Sequence, residues 1–190
     1  VPNFIDGEEV EAASGARFDN INPHNGSVLC QVASSEAEDI GRAVEAAKAA
    51  QDAWADLTPV ARGDILREAA LAIRDRRDEI AEIVALETGK SIDDARGETL
   101  GAFELGMFMA GEGRRYFGRT CTSANPNREV IILRQPVGVC GLIIAANTPL
   151  ANVPRQAFPA PLFGDPAVST FPTRTPRPPW HWSQTRAWPR

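Results

Sequence analysis

Residues 136–150, PVGVCGLIIAANTPL, form an apolar run punctuated by Gly138 and Gly141 that stops at a single polar amide, Asn147, followed by Thr148 and Pro149. The run containing Val139, Leu142, Ile143 and Ile144 is too short and too β-branched for a helix, and it predicts a strand buried on both faces. A strand of that kind belongs to a sheet covered on both sides, which points to the α/β class. In open α/β sheets ligands gather beyond the carboxyl ends of the strands, and an amide placed there can donate its N–H to an oxygen gaining charge. Asn before Thr-Pro is equally ordinary turn chemistry, so the strand by itself leaves both roles open for Asn147.

The residues upstream carry clear local signals. Residues 3–32 predict short strands with turns at Asp6-Gly7, Ser14-Gly15 and Asn25-Gly26, the last joining Ile21 to Val28 as a hairpin. Ser35-Glu36-Ala37-Glu38 has capping-box spacing and opens a helix of about five turns carrying Ile40, Ala43, Val44, Ala47 and Ala50. Thr58 and Pro59 open a second helix, with Ile65, Leu66, Ala69 and Ile73 on one face and Arg62, Arg67 and Arg74 on others. A third helix carries Ile80, Ile83, Val84 and Leu86 and stops at Gly89 in a left-handed cap. From Asp94 to Phe117 the pattern stays helical, with Leu100, Phe103, Leu105, Phe108 and Met109 expected in the core and the glycines expected to allow close packing. Glu129–Arg134, EVIILR, predicts a further strand.

Three ordered pieces together resemble the amino-terminal portion of the NAD(P)-dependent aldehyde dehydrogenase superfamily, over about residues 3–153. These are Phe4-Ile5-Asp6-Gly7 with Asn22-Pro23 and Gly26, Ala85–Lys90 (ALETGK), and PVGVCGLIIAANTPLA. The resemblance implies an incomplete Rossmann-like cofactor-binding domain, with amino-terminal strands, a helical cluster and part of an oligomerisation hairpin at 129–135. It implies that Asn147 helps form the oxyanion hole for the thiohemiacetal made when a cysteine attacks an aldehyde. It also implies that Ile143, Ile144, Ala145 and Ala146 line NAD or NADP, partly through their main chain. Ala145-Ala146 replaces the Pro-Trp of many members, which matters little where the contact is through backbone. The catalytic cysteine and glutamate of the family are expected beyond residue 190, so this chain is expected to be inactive alone. The partner implied is a small-molecule aldehyde, with assembly into a homo-oligomer.

Charge narrows the function classes. Residues 1–150 carry 15 basic and 24 acidic groups, whereas residues 151–190 carry five arginines and one aspartate. An acidic body of this kind argues against nucleic acid as a partner. Cys30, Cys121 and Cys140 have no metal-ligand spacing, and an odd count predicts reduced, cytoplasmic thiols. Cys140, within the apolar strand, is expected to act as a small hydrophobe. His24 and His181 are too few and too far apart for zinc, so no metal is expected. No apolar run approaches the ~20 residues of a membrane span.

From about Pro154 the composition changes. Nine of the 15 prolines and three of the four tryptophans fall in residues 154–190, which hold no Lys and no Glu. Prolines remove donors and fix the backbone, so 154–190 is expected to be an aberrant or disordered tail. The second cofactor strand of the family is expected to be lost, with Thr170 standing where the family has a lysine. Two origins stay open, an Arg/Trp/Pro-rich peptide of polyproline character and a shifted GC-rich reading frame. Two functional readings follow. One is aldehyde oxidation by family resemblance, and the alternative is a non-catalytic remnant that pairs through its exposed strand Glu129–Arg134.

Overall fold

Glycine turns organise the first third of the chain. The computed structural model describes residues 1–170, with side chains through Val168. Strands β1 (Asn3–Ile5) and β2 (Glu8–Val10) pair antiparallel across Asp6 and Gly7, whose φ angles of 53° and 82° give the two left-handed positions a tight hairpin needs. Strands β3 (Arg17–Ile21) and β4 (Val28–Ala33) form the second hairpin, with Ile21 opposite Val28 as expected.

Helix α1 (Ala37–Ala55) runs the expected five turns, but its cap lies one residue later than the spacing indicated. The Glu36 backbone N–H donates to Asp39 Oδ2 at 3.0 Å, while the Ser35 hydroxyl donates instead to Asn3 Oδ1 of β1 at 2.6 Å. Ser35 is committed to a long-range bond, so the capping pair becomes Glu36 and Asp39. Helix α2 (Pro59–Asp75) starts as expected, with Thr58 Oγ1 accepting from the Ala61 N–H at 3.2 Å and Pro59 in the first turn. Helix α3 (Arg77–Thr88) stops at Gly89, φ 72°, whose N–H bonds the Ala85 carbonyl at 2.9 Å. Helix α4 (Ile92–Gly111) then opens on Ser91, whose hydroxyl accepts from the Asp94 N–H.

The buried face of α4 matches the expected one only in part, with Phe103 and Met109 packed against the core. Leu100 and Phe108 are each 56% exposed, whereas Ala95, Thr99, Ala102, Gly106 and Ala110 are buried. Small residues win because α2 approaches α4 at backbone distance. A Cβ on Gly63 would stand 2.5 Å from the Ala110 carbonyl oxygen, and one on Gly106 would stand 2.9 Å from Ala70 Cβ. Arg62, expected on a polar face of α2, is buried as well. Its guanidinium donates to the carbonyls of Leu162, Ala55 and Leu57, which satisfies chain ends that would otherwise be orphaned.

After a 3₁₀ turn at Glu112–Arg115, β5 (Arg119–Thr122) and β6 (Glu129–Ile132) form an antiparallel hairpin exposed along its whole length. Strand β7 (Cys140–Ile143) follows, then a π-helical turn (Val153–Ala157), helix α5 (Pro159–Phe163) and strand β8 (Ala167–Thr170). β7 and β8 pair in parallel, Cys140 with Ala167 through Ile143 with Thr170. The mixed α/β class is as expected, and three expectations about this region are corrected.

β7 is not buried on both faces, since Ile143 is 72% exposed and Gly141 is exposed. That face looks across an open cavity towards α1 instead of packing against it. The second strand is also not lost. Its first bond runs from the Cys140 N–H to the Pro166 carbonyl at 2.9 Å, where proline's missing donor is not required. Nor does packing end at residue 153, because Pro154, Phe158, Pro161 and Leu162 are buried, with Phe158 and Leu162 in one core cluster with Leu66, Ala70 and Ala110. The expected tail is therefore structured at 154–168, and its residues 171–190 lie outside the described residues. Prolines at the start of helical turns, such as Pro159, are compatible with helix geometry, which composition alone does not reveal.

The α2–α4 contact yields a paired test. Gly63→Ala is expected to destabilise the chain by about 1–3 kcal/mol through overpacking. Gly101→Ala, where an added Cβ meets open space on α4, is expected to stabilise it by about 0.5–1 kcal/mol. Urea denaturation of the two variants measures both.

Candidate functional site

The segment after β7 turns at once. Ile144 is buried at 1% exposure, Ala145 is exposed, Ala146 is half-buried, and Asn147 is exposed in the turn that follows. Asn147 thus stands just beyond the carboxyl end of a parallel strand, as expected. Among the described residues its side-chain amide has no hydrogen-bond partner, which leaves its N–H free to donate.

The four residues expected to line a cofactor divide by environment. Ile143 shares the wall of an open cavity of about 570 Å³ with Ile40, Val44, Lys48 and Gln51 of α1 and Val168 of β8. Ile144 points into the core, so only its main chain is available to a ligand. Ala145 and Ala146 offer little side chain, and the exposed Ala145 lies next to the strand end.

Two residues that carried no assigned role hold this turn in place. Lys90 Nζ donates to the Asn147 carbonyl at 3.0 Å and pairs with Glu98 Oε2. Glu98 Oε1 accepts from the backbone N–H groups of Leu150 at 2.8 Å and Ala151 at 3.1 Å. Lys90 ends the ALETGK motif and Glu98 lies in the second turn of α4, so the link spans nearly 60 residues of sequence. A glutamate beside Thr99 on the buried side of a helix is the available signal, obscured because small residues and not only large apolar ones mark that side of α4.

The other end of the same motif ties back to the first strands. Glu87 is buried and accepts a hydrogen bond from the Asn20 amide of β3. Gly89 abuts the Asn22-Pro23 turn closely enough that a Cβ on it would stand 3.0 Å from Pro23 Cγ. The pieces that the sequence separates are therefore consecutive neighbours in space.

The thiols lie elsewhere. Cys140 opens β7 at the end remote from Asn147, Cys30 is on β4 and Cys121 is on the exposed hairpin. Burial pushes the Cys140 thiol up, with the Asp165 charge adding to the effect, so it favours the unreactive protonated form. Among the described residues no cluster of His, Cys, Asp or Glu has metal-binding geometry, and no helix is long and apolar enough to cross a membrane.

Residues 10–179 match the aldehyde dehydrogenase family. The chain belongs to that family. It is 34% identical over 173 residues to a succinate-semialdehyde dehydrogenase (NADP+) of Escherichia coli K12, covering 91% of this chain and 36% of the relative. It is 37% identical over 165 residues to a 3,6-anhydro-alpha-L-galactose dehydrogenase of Streptomyces coelicolor, covering 87% of this chain and 33% of the relative. Its fold matches a variant betaine aldehyde dehydrogenase of Staphylococcus aureus in complex with NAD+, with a TM-score of 0.88, 32% identity, and coverage of 92% of this chain and 35% of that one. The chain spans about a third of the length of these aldehyde dehydrogenases. The match extends well past residue 153, in line with the helix and strand found there.

Glu87 gives this site a pH dependence. Burial raises its pKa to about 8, opposed by the Asn20 hydrogen bond. The folded chain keeps a proton there that the unfolded chain releases near the ordinary value of 4.5. The stability from this group is fullest below the unfolded value and is lost as pH rises through the folded one. Urea midpoints are therefore expected to fall between pH ~5 and ~8 in the native chain and to stay flatter in Glu87→Gln. Equal slopes in the two proteins would assign that pH dependence to other groups.

Proposed function

We propose that this chain is the amino-terminal, cofactor-side portion of an NAD(P)-dependent aldehyde dehydrogenase, with Asn147 as an oxyanion donor. The observation that carries the proposal is the Asn147 amide, without a partner among the described residues, at the mouth of a parallel strand pair in a chain of this family. When a nucleophile adds to an aldehyde, the carbonyl oxygen gains negative charge, and an amide N–H already held in place stabilises it without reorganising. Fixed backbone matters here because Asn147 has a short side chain and is aimed by its own main chain.

The cofactor-lining role proposed for Ile143, Ile144, Ala145 and Ala146 is mainly one of backbone. Ile144 anchors the segment in the core while Ala145 is exposed, an arrangement that suits a flat ring laid against the chain there. The nicotinamide, when bound, supplies the hydride acceptor. The thiol nucleophile of the reaction is not Cys140, whose position on β7 is at the wrong end of the strand.

The exposed hairpin supports a second reading, assembly through β6. Val130, Ile131, Ile132 and Leu133 are 39–69% exposed in succession. A run of apolar residues on a hairpin of two strands invites pairing with another chain. Size-exclusion chromatography with and without a full-length relative measures that assembly.

For the catalytic reading, the purified chain alone is expected to show no aldehyde-dependent NAD(P)H formation. A full-length family member carrying residues 85–153 of this chain in place of its own is expected to be active. In that chimera Asn147→Ala is expected to lower kcat by roughly 10²–10³-fold, the size of a lost oxyanion donor. A kcat within a few-fold of the parent chimera would remove the role proposed for Asn147.

A further inference from the structure

We propose that Lys90 and Glu98 are positioning residues for the Asn147 amide, a single buried ion pair that fixes both ends of the 147–151 turn. This rests on the reading of Asn147 as the oxyanion donor. The Glu98 side chain is 5% exposed and that of Lys90 is 18% exposed, so the pair is largely removed from water. Both carboxylate oxygens are committed, Oε2 to the ammonium and Oε1 to the N–H groups of Leu150 and Ala151.

Those two N–H groups lead a helical turn whose next donor, Asn152 N–H, bonds the Thr148 carbonyl at 3.2 Å. A carboxylate at such an end satisfies donors that have no partner within the turn and favours their aligned dipoles. At the other end the Lys90 ammonium holds the Asn147 carbonyl, which sets the plane of the peptide following Asn147. Between the two anchors, Pro149 is buried with its φ restricted, and Asn152 Nδ2 donates to Thr148 Oγ1 at 3.1 Å. The turn has little freedom left, so the direction of the otherwise unpaired Asn147 side chain follows from the pair. Removing either partner leaves a buried charge without compensation, which makes the pair act as one unit.

The supports of the pair are themselves rigid. Lys90 follows the left-handed Gly89, and Glu98 sits about two turns above the Ser91 cap, beside buried Thr99 and one turn from buried Ala95.

Amide exchange and chemical shifts of the isotope-labelled 190-residue chain test this directly. In Glu98→Ala the Leu150 and Ala151 amides are expected to exchange at least about tenfold faster, and the Asn147 side-chain amide signals to move, while Ala70 and Ile73 in α2 keep their protection. Glu98→Gln, which retains a carbonyl acceptor, is expected to restore much of that protection. Lys90→Met is expected to move the Asn147 side-chain and Thr148 amide signals. Exchange within about twofold of the native chain in Glu98→Ala, with Asn147 signals in place, overturns the proposal. Should Glu98→Ala unfold α2 as well, unchanged Asn147 and Thr148 signals in folded Lys90→Met overturn it instead. Loss of the Asn147 role in the chimera would leave these exchange results standing, so the two ideas fail separately.

Discussion

Backbone contact between α2 and α4 is the constraint on which the remaining packing depends. Gly63 faces the Ala110 carbonyl, Gly113 of the following 3₁₀ turn faces the Pro59 carbonyl, and Gly106 lies against the methyl group of Ala70, so these contacts leave no room for a larger side chain. Phe158 then seats on Gly106, where a Cβ would come within 3.2 Å of its ring. Leu162 joins the same cluster and Leu150 joins the neighbouring one with Ile73 and Ala102. The π-helical turn and α5 therefore rest on the helix pair, whereas β8 is held by β7 and α1, and a side chain forced between α2 and α4 would displace Phe158.

Buried charge in this chain is spent on main-chain ends. Arg62 collects carbonyls from the ends of α1 and α5, and Asp165 accepts from the N–H groups of Val137 at 2.6 Å and Gly138 at 2.8 Å just before β7. Lys90 and Glu98 do the same just after it. Charged hydrogen bonds to backbone are stronger than neutral ones and define direction, so β7 is clamped at both ends. That accounts for a strand that stays in register although Ile143 and Gly141 are exposed. The strand end is thereby open on one side and rigid along its length, the combination a ligand-facing edge requires.

Signals set by neighbouring residues were legible, and those set by distant ones were not. The two-residue turn at Asp6-Gly7, the Thr58 cap and the left-handed Gly89 follow from the chemistry of a few adjacent residues, and each stands where expected. The position of Asn147 beyond β7 was legible for the same reason. Ser35 lost its capping role to Asn3, more than thirty residues away. On α4 Phe103 and Met109 pack against the core as expected, while Leu100 and Phe108 lost their places to glycine and alanine because the spacing of α2 selects size, which no single-helix pattern contains. The proline-rich composition after Pro154 hid a parallel strand, since a ladder needs peptide groups more than particular side chains.

The motifs that carry the family resemblance act as a physical series. Asn20 of β3 bonds Glu87, the Asn22-Pro23 turn abuts Gly89, and Lys90 reaches the Asn147 carbonyl. Gly89 is the pivot, because a side chain there would meet both an unfavourable φ of 72° and Pro23. Through that turn the chain reverses from α3 so that Glu87 faces the first strands and Lys90 faces the last loop. A displacement of the β3–β4 hairpin would bear on Gly89 through Pro23, and on Asn147 through Lys90. The amide at the end of β7 is thus placed by contacts that begin at residue 20, and its geometry is a property of the whole amino-terminal unit.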